Sequence, residues 1–178
     1  MLFLALVLMS TDEIYTENTI LRKMPKPAEV VSSIQGLKDL LDKLATIPAN
    51  PTPLEPPSLY IGIEGTNLGR NGSIAIVTLF FLPDASTYLI DIHTLGSAAF
   101  STGNSQEHSL KKVLESPGVA KVFFDVRNDS DALFSLYGIS LAGVQDLQLM
   151  ELATKRQGRS TKYVWSSKMH RKRCTNDG

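Results

Sequence analysis

Two carboxylates near the ends of apolar runs are the residues of this sequence best placed to do chemistry. Glu64 ends the apolar run in the stretch LYIGIEGTNLGRNGSIAIVTLFF, and Asp129 directly follows KVFFDVRN at the start of a helical pattern. Carboxylates at strand ends and helix starts can hold two Mg²⁺ ions about 4 Å apart, which position a water for in-line attack on a phosphodiester. In a compact α/β sheet the two acids could face one crevice, so the sequence suggests a metal-dependent phosphodiesterase.

Each of these acids also has a purely structural alternative. Glu64 could form a salt bridge near the following turn, with Arg70 as its partner. Asp129 could cap a helix and interact with the helix dipole. The spacing of the residues alone leaves both interpretations open.

Other common site types lack the spacing that they need. Gly65, Gly69 and Gly72 do not fit G-x-G-x-x-G and precede a β-rich run where that motif requires a helix, so we interpret them as turn residues. No Gly-Lys-Ser/Thr sequence of a Walker A loop is present. The single Cys174 cannot form an internal disulfide, and neither it nor the three histidines show zinc-ligand spacing. These observations favour an intracellular setting, in the nucleus or the cytoplasm.

The apolar periodicity predicts an α/β domain built on a mixed sheet. One amphipathic helix is expected from residue 34 onward, capped by Ser32 or Ser33. The runs SLYIGIE, SIAIVTLFF and TYLIDI then predict an antiparallel meander of three strands. The runs SLKKVLES, AKVFFDV, NDSDALFSLYG and GVQDLQLMELATKR predict a helix, a strand, a helix, and a short strand entering another helix. This order implies that the later strands are parallel, with α-helices flanking both faces of the sheet.

Composition divides the chain into three parts. Residues 1–32 are expected to be a poorly ordered leader, residues 33–159 one globular domain, and residues 160–178 a basic tail. The leader run MLFLALVLMS has no preceding Lys or Arg and no small-residue cleavage site after it. It is also too short to span a bilayer, so neither a signal peptide nor a membrane association is expected.

The charge of the C-terminal end differs from that of the rest. From Lys155 onward the chain holds eight Lys or Arg residues and a single acid, Asp177, although its overall formal charge is zero. Tyr163 and Trp165 lie among these cations. Such a composition suits phosphate attraction combined with base stacking, and a solvated, frayed terminus is the structural alternative.

Four blocks of the chain together resemble a known family. The blocks LYIGIEGTNLGRNGSIAIVTL, TYLIDIHTLG, LESPGVAKVFFDVRNDSDALFSLYGI and GVQDLQLMELATKR resemble, in order and spacing, the 3′-5′ exonuclease domain of the RNase D-like branch of the DEDD superfamily, which has a ribonuclease H-like fold. The resemblance covers about residues 34–159. It implies Mg²⁺ or Mn²⁺ as the cofactors of the family, with weak or absent binding expected in this chain, and Glu64 and Asp129 as catalytic, metal-ligating residues. Asp146 resembles a characteristic but non-ligating position of the family.

The sequence departs from the family pattern at two of its motifs. The first strand of the family carries D-x-E, and the aspartate that bridges two metals there falls on Gly62 here. The last catalytic helix of the family carries Y-x-x-x-D, but four residues after Tyr163 stands Ser167. The histidine variant of that motif fails as well, because Thr175 stands five residues after His170. We therefore expect the last catalytic helix to be missing or diverged.

These departures leave three functions open. The interpretation that we favour is a degenerate exonuclease domain that binds single-stranded RNA or DNA through Asn67, Arg70, Arg127 and the basic tail, with weak or no hydrolysis. A protein-interaction module on the same fold is another, in which a partner or a second copy covers the sheet face left open by the missing helix.

The third function is an active two-metal 3′-5′ exonuclease on single-stranded RNA or DNA. Such an enzyme would have to replace the ligands that are missing at Gly62 and in the last motif. The nearest acids that the sequence offers are Asp91, Asp125 and Asp131.

Overall fold

The computed structural model describes residues 26–48 and 56–155. The predicted basic tail lies outside these ranges, as does most of the predicted leader. The sequence-based predictions about Tyr163, Ser167, His170 and Thr175 therefore concern residues that the structure does not describe. None of the helices in the described ranges combines the length and apolar character needed to cross a membrane.

Six strands of the described residues form one sheet. They are β1 (Glu29–Val31), β2 (Leu59–Thr66), β3 (Ser73–Phe81), β4 (Ser86–Asp91), β5 (Lys121–Phe123) and β6 (Val144–Asp146). Their order across the sheet is β1-β4-β3-β2-β5-β6. The pairs β2–β3 and β3–β4 are antiparallel, whereas β1–β4, β2–β5 and β5–β6 are parallel. The predicted mixed sheet, an antiparallel meander followed by parallel strands, is confirmed.

Six α-helices accompany the sheet within the described ranges. They are α1 (Ile34–Leu44), α2 (Ile92–Leu95), α3 (Ala98–Ser101), α4 (Leu110–Glu115), α5 (Arg127–Tyr137) and α6 (Leu147–Lys155). Helix α1 begins as the sequence predicts, because the Ser33 hydroxyl accepts a hydrogen bond from the Gly36 amide. Its leucines at helical spacing are buried in the core: Leu37, Leu40, Leu41 and Leu44.

Two parts of the observed fold differ from the prediction. The sheet begins at Glu29, ahead of the domain boundary predicted at residue 33, because β1 pairs in parallel with β4 at the edge of the sheet and buries Val31. The stretch between β4 and α4 also contains the one-turn helices α2 and α3. Elements of three or four residues are too short to produce a recognisable periodicity, so the sequence gives little sign of them.

Lys121, the first residue of β5, is fully buried. Its Nζ donates hydrogen bonds to the backbone carbonyls of Val113, Ser116 and Val119, at 2.9, 2.8 and 2.6 Å. Burial lowers the pKa of the Lys121 amine to about 8. The lysine thus ties the start of β5 to the end of α4 and to the turn between them.

The topology brings the ends of several strands to one edge of the sheet. Because β2, β5 and β6 are mutually parallel, and β4 runs in the same direction as β2, these four strands all end at that edge. Glu64 lies near the end of β2, Asp91 ends β4 and Asp146 ends β6, while β5 leads into α5. Ligand sites of open α/β sheets lie beyond the carboxyl ends of the strands, so this edge is where a site is expected.

Candidate active site

Gly62 and Glu64 share one face of β2. Ile61 and Ile63 are buried in the core, and side chains alternate along a strand, so the intervening positions face the other way. A Cβ built at Gly62 has no atom within 4 Å. The position next to Glu64 on this face is therefore open space, which a larger side chain could occupy without a clash.

A β-bulge follows Glu64 directly. Glu64 pairs with Ile76, but the register shifts before Gly65 and leaves Ala75 as an extra residue on β3. Gly65 cannot carry a side chain without rearrangement, because a Cβ there would collide with the backbone oxygen of Ser73. Bulges bend a strand and re-aim its side chains, and here the bulge stands where the exposed carboxylate leaves the sheet.

Asp129 lies in the first turn of α5 and is 9% exposed. Burial raises the pKa of its carboxyl group to about 7, and repulsion by Glu64 adds to this effect, followed by smaller contributions from Asp125 and Asp146. Glu64 and Asp129 are thus close enough to interact electrostatically. The N-cap residue of α5 is Val126 and not Asp129, so the N-cap part of the structural alternative is wrong.

The hydrogen bonding of Glu64 and Asp129 sets them apart from neighbouring acids. Within the described part of the chain, neither carboxyl group accepts a hydrogen bond or forms an ion pair. Both groups are therefore available to a ligand, whereas Asp91, Asp125, Asp131 and Asp146 at this edge each accept hydrogen bonds from other protein groups.

Asp125 forms a close ion pair with Arg127. The Nε and Nη2 atoms of Arg127 donate to the two carboxylate oxygens of Asp125, at 2.6 and 2.8 Å. This contact lowers the pKa of Asp125. The Arg127 side chain is nevertheless 71% exposed, so one face of its guanidinium remains open to solvent.

Asp146 holds the turn between β5 and α5. Its Oδ1 accepts a hydrogen bond from the Asp125 amide at 3.1 Å, and its Oδ2 accepts one from the Val126 amide at 3.2 Å. Oδ1 also accepts from the Gln148 amide at 2.9 Å. The turn contains Asp125 in the left-handed region, at φ 59°, a conformation that the surrounding contacts must maintain. Asp146 thereby fixes the start of the helix that carries Asp129.

Arg70 is bound to Asp131 and not to Glu64. Its backbone amide and its Nε donate to Oδ2 of Asp131, at 2.9 and 3.3 Å, and its Nη2 donates to Oδ1 at 2.9 Å. The salt bridge between Glu64 and Arg70, suggested as a structural alternative, is therefore wrong. Asp131 is occupied by this contact, which lowers the pKa of its carboxyl group.

Asp91 serves as the cap of α2. Its Oδ1 accepts from the Thr94 amide at 2.9 Å and its Oδ2 accepts from the Thr94 hydroxyl at 2.7 Å. These hydrogen bonds lower the pKa of Asp91. The three acids that the sequence offered as replacement ligands each accept hydrogen bonds from another residue: Asp91, Asp125 and Asp131.

A family described as 3′-5′ exonuclease matches residues 28–165, which is most of the chain. The chain belongs to this exonuclease family. The match begins at β1, in agreement with the observed start of the sheet, and it extends past the described end of α6.

Several known proteins are similar to parts of this chain. The piRNA biogenesis protein EXD1 of Mus musculus is 35% identical over 94 residues, which are 53% of this chain and 15% of the mouse protein. The chain therefore matches only a small part of the length of that relative. A structure of RNase D from Trypanosoma brucei in complex with RNA U12 is similar with a TM-score of 0.63 and 24% identity, over 78% of this chain and 43% of the other.

The exonuclease domain of EXD2, in a structure soaked in Mn, is also similar. Its TM-score is 0.53 with 17% identity, over 73% of this chain and 60% of that one. At these identities the structural likenesses show a shared fold. The mixed six-stranded sheet with flanking helices is accordingly the ribonuclease H-like fold of these exonuclease domains, as the sequence predicts.

The edge of the sheet that carries Glu64 and Asp129 offers few ligands for metal ions. Two Mg²⁺ or Mn²⁺ ions require several converging oxygen ligands. Among residues 26–48 and 56–155, no group of three or more His, Cys, Asp or Glu side chains could hold a metal ion. Among the described acids at this edge of the sheet, Glu64 and Asp129 are the two that have no hydrogen-bond or ion-pair partner, and Gly62 contributes no carboxylate. The described residues alone therefore do not fit a two-metal site.

The predicted site residues fall into two groups in this exonuclease domain. Glu64 and Asp129 come together at the edge of the sheet, as the parallel strands require. Arg70 and Arg127 lie nearby, but each is paired with an aspartate. Asn67 is exposed in the turn after β2, at φ 48°.

The role of Asp146 in holding the turn could not be found from spacing. Two of its three hydrogen-bond donors are backbone amides 21 and 20 residues away in the chain, those of Asp125 and Val126. The one indication of the importance of Asp146 in the sequence is the family resemblance, in which this position is characteristic.

Proposed function

We propose that this chain is a degenerate 3′-5′ exonuclease domain that binds single-stranded nucleic acid, RNA or DNA, and hydrolyses it weakly or not at all. The observation that carries the proposal is the pair formed by Glu64 and Asp129. The two carboxyl groups interact and have no donors within the described residues, while Gly62 leaves open the position where the family has its metal-bridging aspartate. Two carboxylates hold a hard cation poorly against water, so metal binding and hydrolysis should be weak.

Binding of nucleic acid is supported by the family and by the charge distribution. The related RNase D is in complex with an RNA. The edge of the sheet is itself acidic, and Arg70 and Arg127 are each neutralised by an aspartate, so these arginines give limited attraction for phosphates. The Lys and Arg residues from Lys155 onward supply positive charge that can attract the phosphates of a nucleic acid. An intracellular location, in the nucleus or the cytoplasm, is part of the same proposal.

Binding can be tested by the fluorescence anisotropy of a labelled single-stranded RNA or DNA oligonucleotide in EDTA. The affinity should fall steeply with rising salt, because phosphate contacts release counterions. A variant that ends at Thr154 should bind more weakly and with a flatter salt dependence. Absence of binding at low salt by the full chain would contradict the proposed function. An unchanged salt dependence in the shortened variant would show that the tail takes no part in binding.

A further inference from the structure

The turn between β2 and β3 is tied to helix α5 by a single carboxylate. We call this turn, residues 67–72, the hairpin loop. Asp131, in the second turn of α5, accepts three hydrogen bonds from Arg70 of the hairpin loop, one from the backbone amide and two from the guanidinium. The contact joins residues 61 positions apart in the chain. It connects the element that follows Glu64 to the helix that carries Asp129.

The backbone of the hairpin loop is held in an unusual conformation. Asn67 has φ 48° and Gly69 has φ 142°, both in the region that side-chain-bearing residues rarely adopt. A Cβ built at Gly69 would lie 3.5 Å from Oδ2 of Asp131, so the loop and the carboxylate are in close contact. Leu68 packs against the hydrophobic core, and the Gly72 amide donates to the Gly69 carbonyl. Conformations of this kind persist when several contacts fix them together.

The exposure of the ion pair between Arg70 and Asp131 indicates that it affects the hairpin loop more than the stability of the whole domain. The Arg70 side chain is 70% exposed and that of Asp131 is 32% exposed. Ion pairs of this exposure add little to the free energy of unfolding. A two-pronged contact between a guanidinium and a carboxylate does, however, fix the relative orientation of the two groups, and here a backbone amide adds a third point of attachment. The pair is better suited to orienting the loop than to stabilising the whole domain.

We infer that Asp131 is a positioning residue, which fixes the hairpin loop beside α5 so that the loop and the helix contact one nucleic-acid strand together. The inference rests on the proposed binding of nucleic acid. Arg70 then acts indirectly, because its guanidinium is held by Asp131. The exposed backbone and side chains of the hairpin loop, Asn67 among them, contact the ligand in a fixed arrangement.

Simple electrostatics and the positioning role predict opposite effects of an Asp131 substitution on the affinity for nucleic acid. Asp131→Asn removes a negative charge and leaves one carbonyl oxygen for the three donors of Arg70, so the guanidinium is held less firmly. Both changes should strengthen attraction for a polyanion. If Asp131 instead positions the loop, Asp131→Asn should weaken binding of a single-stranded oligonucleotide in EDTA by about fivefold, equivalent to roughly 1 kcal/mol. Arg70→Lys, which keeps the charge and loses the two-pronged contact, should weaken it similarly.

The control is Asp39→Asn, since this exposed acid on α1 has the same charge and lies in a different element. It should leave the affinity unchanged or raise it slightly. Affinities of Asp131→Asn or Arg70→Lys that equal or exceed that of the unmodified chain would overturn the inference.

Hydrogen exchange separates failure of this inference from failure of the proposed function. In the unmodified chain the Arg70 amide, bonded to Asp131, should exchange slowly, and Asp131→Asn should accelerate exchange across residues 66–72 by about tenfold or more while leaving β4 unchanged. Unchanged exchange in the loop would overturn the positioning role even without a ligand. Absence of oligonucleotide binding by the unmodified chain, together with faster exchange in the variant, would refute the proposed function and the shared contact with a strand, and would leave Asp131 as a purely structural tether.

Discussion

The carboxyl group of Asp129 lies close enough to Glu64 for the two acids to repel each other, and this repulsion adds to burial in raising the pKa of Asp129 to about 7. A buried acid next to a second acid is unfavourable for folding, because both effects oppose ionisation. The acids that stabilise this edge of the sheet are instead bound to amides, hydroxyls or arginines. The arrangement of Glu64 and Asp129 is therefore typical of a functional site.

Replacing Asp129 by Asn should change how stability depends on pH. The pKa of Asp129 is about 7 in the folded chain against 3.8 ordinarily, so the folded state binds more protons between these values. The stability contributed by this proton is present below pH 3.8 and is lost as the pH rises through 7. The loss is at most about 4 kcal/mol, since each pKa unit corresponds to about 1.36 kcal/mol.

Urea unfolding of the unmodified chain and of Asp129→Asn at pH 5, 6, 7 and 8 measures this effect. The variant should lose less stability than the unmodified chain between pH 5 and pH 8 and should be the more stable of the two at pH 8. Asp39→Asn serves as the control, and it should follow the unmodified chain. Parallel curves for all three proteins would show that Asp129 ionises normally.

Gly62→Asp should raise the affinity for Mn²⁺ or Mg²⁺. The position is open, so the new carboxylate can be accommodated on the same face of β2 as Glu64. Adding a third acid supplies a further hard ligand, and a metal that binds the folded state raises its melting temperature. Without metal the variant should be less stable than the unmodified chain, because it adds repulsion.

Gly62→Asn is the matched control for this prediction, as it has nearly the same shape and no charge. Thermal unfolding with and without Mn²⁺ gives the measurement. A metal-dependent increase in melting temperature should be larger in Gly62→Asp than in Gly62→Asn or the unmodified chain. Equal increases in all three would indicate that position 62 does not face the same ligand space as Glu64.

Gly65→Ala and Gly62→Ala should differ sharply although only one residue separates the two positions. A Cβ at Gly65 collides with the Ser73 carbonyl, whereas a Cβ at Gly62 meets nothing. Gly65→Ala should therefore lower the free energy of unfolding by about 2 kcal/mol or more, and Gly62→Ala should change it by about 0.5 kcal/mol or less. Denaturant unfolding of both variants tests this, and similar values would argue against the bulge after Glu64.

Asp146→Ala should destabilise the domain through the turn that precedes α5. The change leaves the amides of Asp125, Val126 and Gln148 without their acceptor, which should lower the free energy of unfolding by about 2–3 kcal/mol. Asp146→Asn keeps one carbonyl oxygen and should lose less. Urea denaturation provides the comparison, and an Asp146→Ala variant as stable as the unmodified chain would contradict the role assigned to Asp146.

The sequence predicted those features that depend on periodicity and on strand direction. The long strands β2 and β3 and helix α1 have strong apolar patterns, and the parallel pairing of β2 with β5 brings Glu64 and Asp129 to one edge. The features that it missed depend on contacts distant in sequence. The pairing of Arg70 with Asp131 requires the loop and α5 to be neighbours, whereas the acid nearer to Arg70 in the sequence is Glu64.

The burial of Lys121 is a further feature that the sequence does not indicate. The run AKVFFDV predicts a strand, in which a lysine would normally be placed at an exposed end. The structure buries its amine among three backbone carbonyls, which satisfy it in place of water. Such a site cannot be predicted from a pattern of residue types, because its acceptors are backbone groups that every residue has.

The most direct test of the proposed function is incubation of the purified chain with a 5′-labelled single-stranded RNA and DNA in the presence of Mn²⁺ or Mg²⁺, with the products resolved by length. A degenerate domain should bind both oligonucleotides and leave them at full length. Shortening from the 3′ end that requires the metal and is abolished by Glu64→Gln would contradict the account, because it would show that the chain completes a working metal site without an acid at position 62.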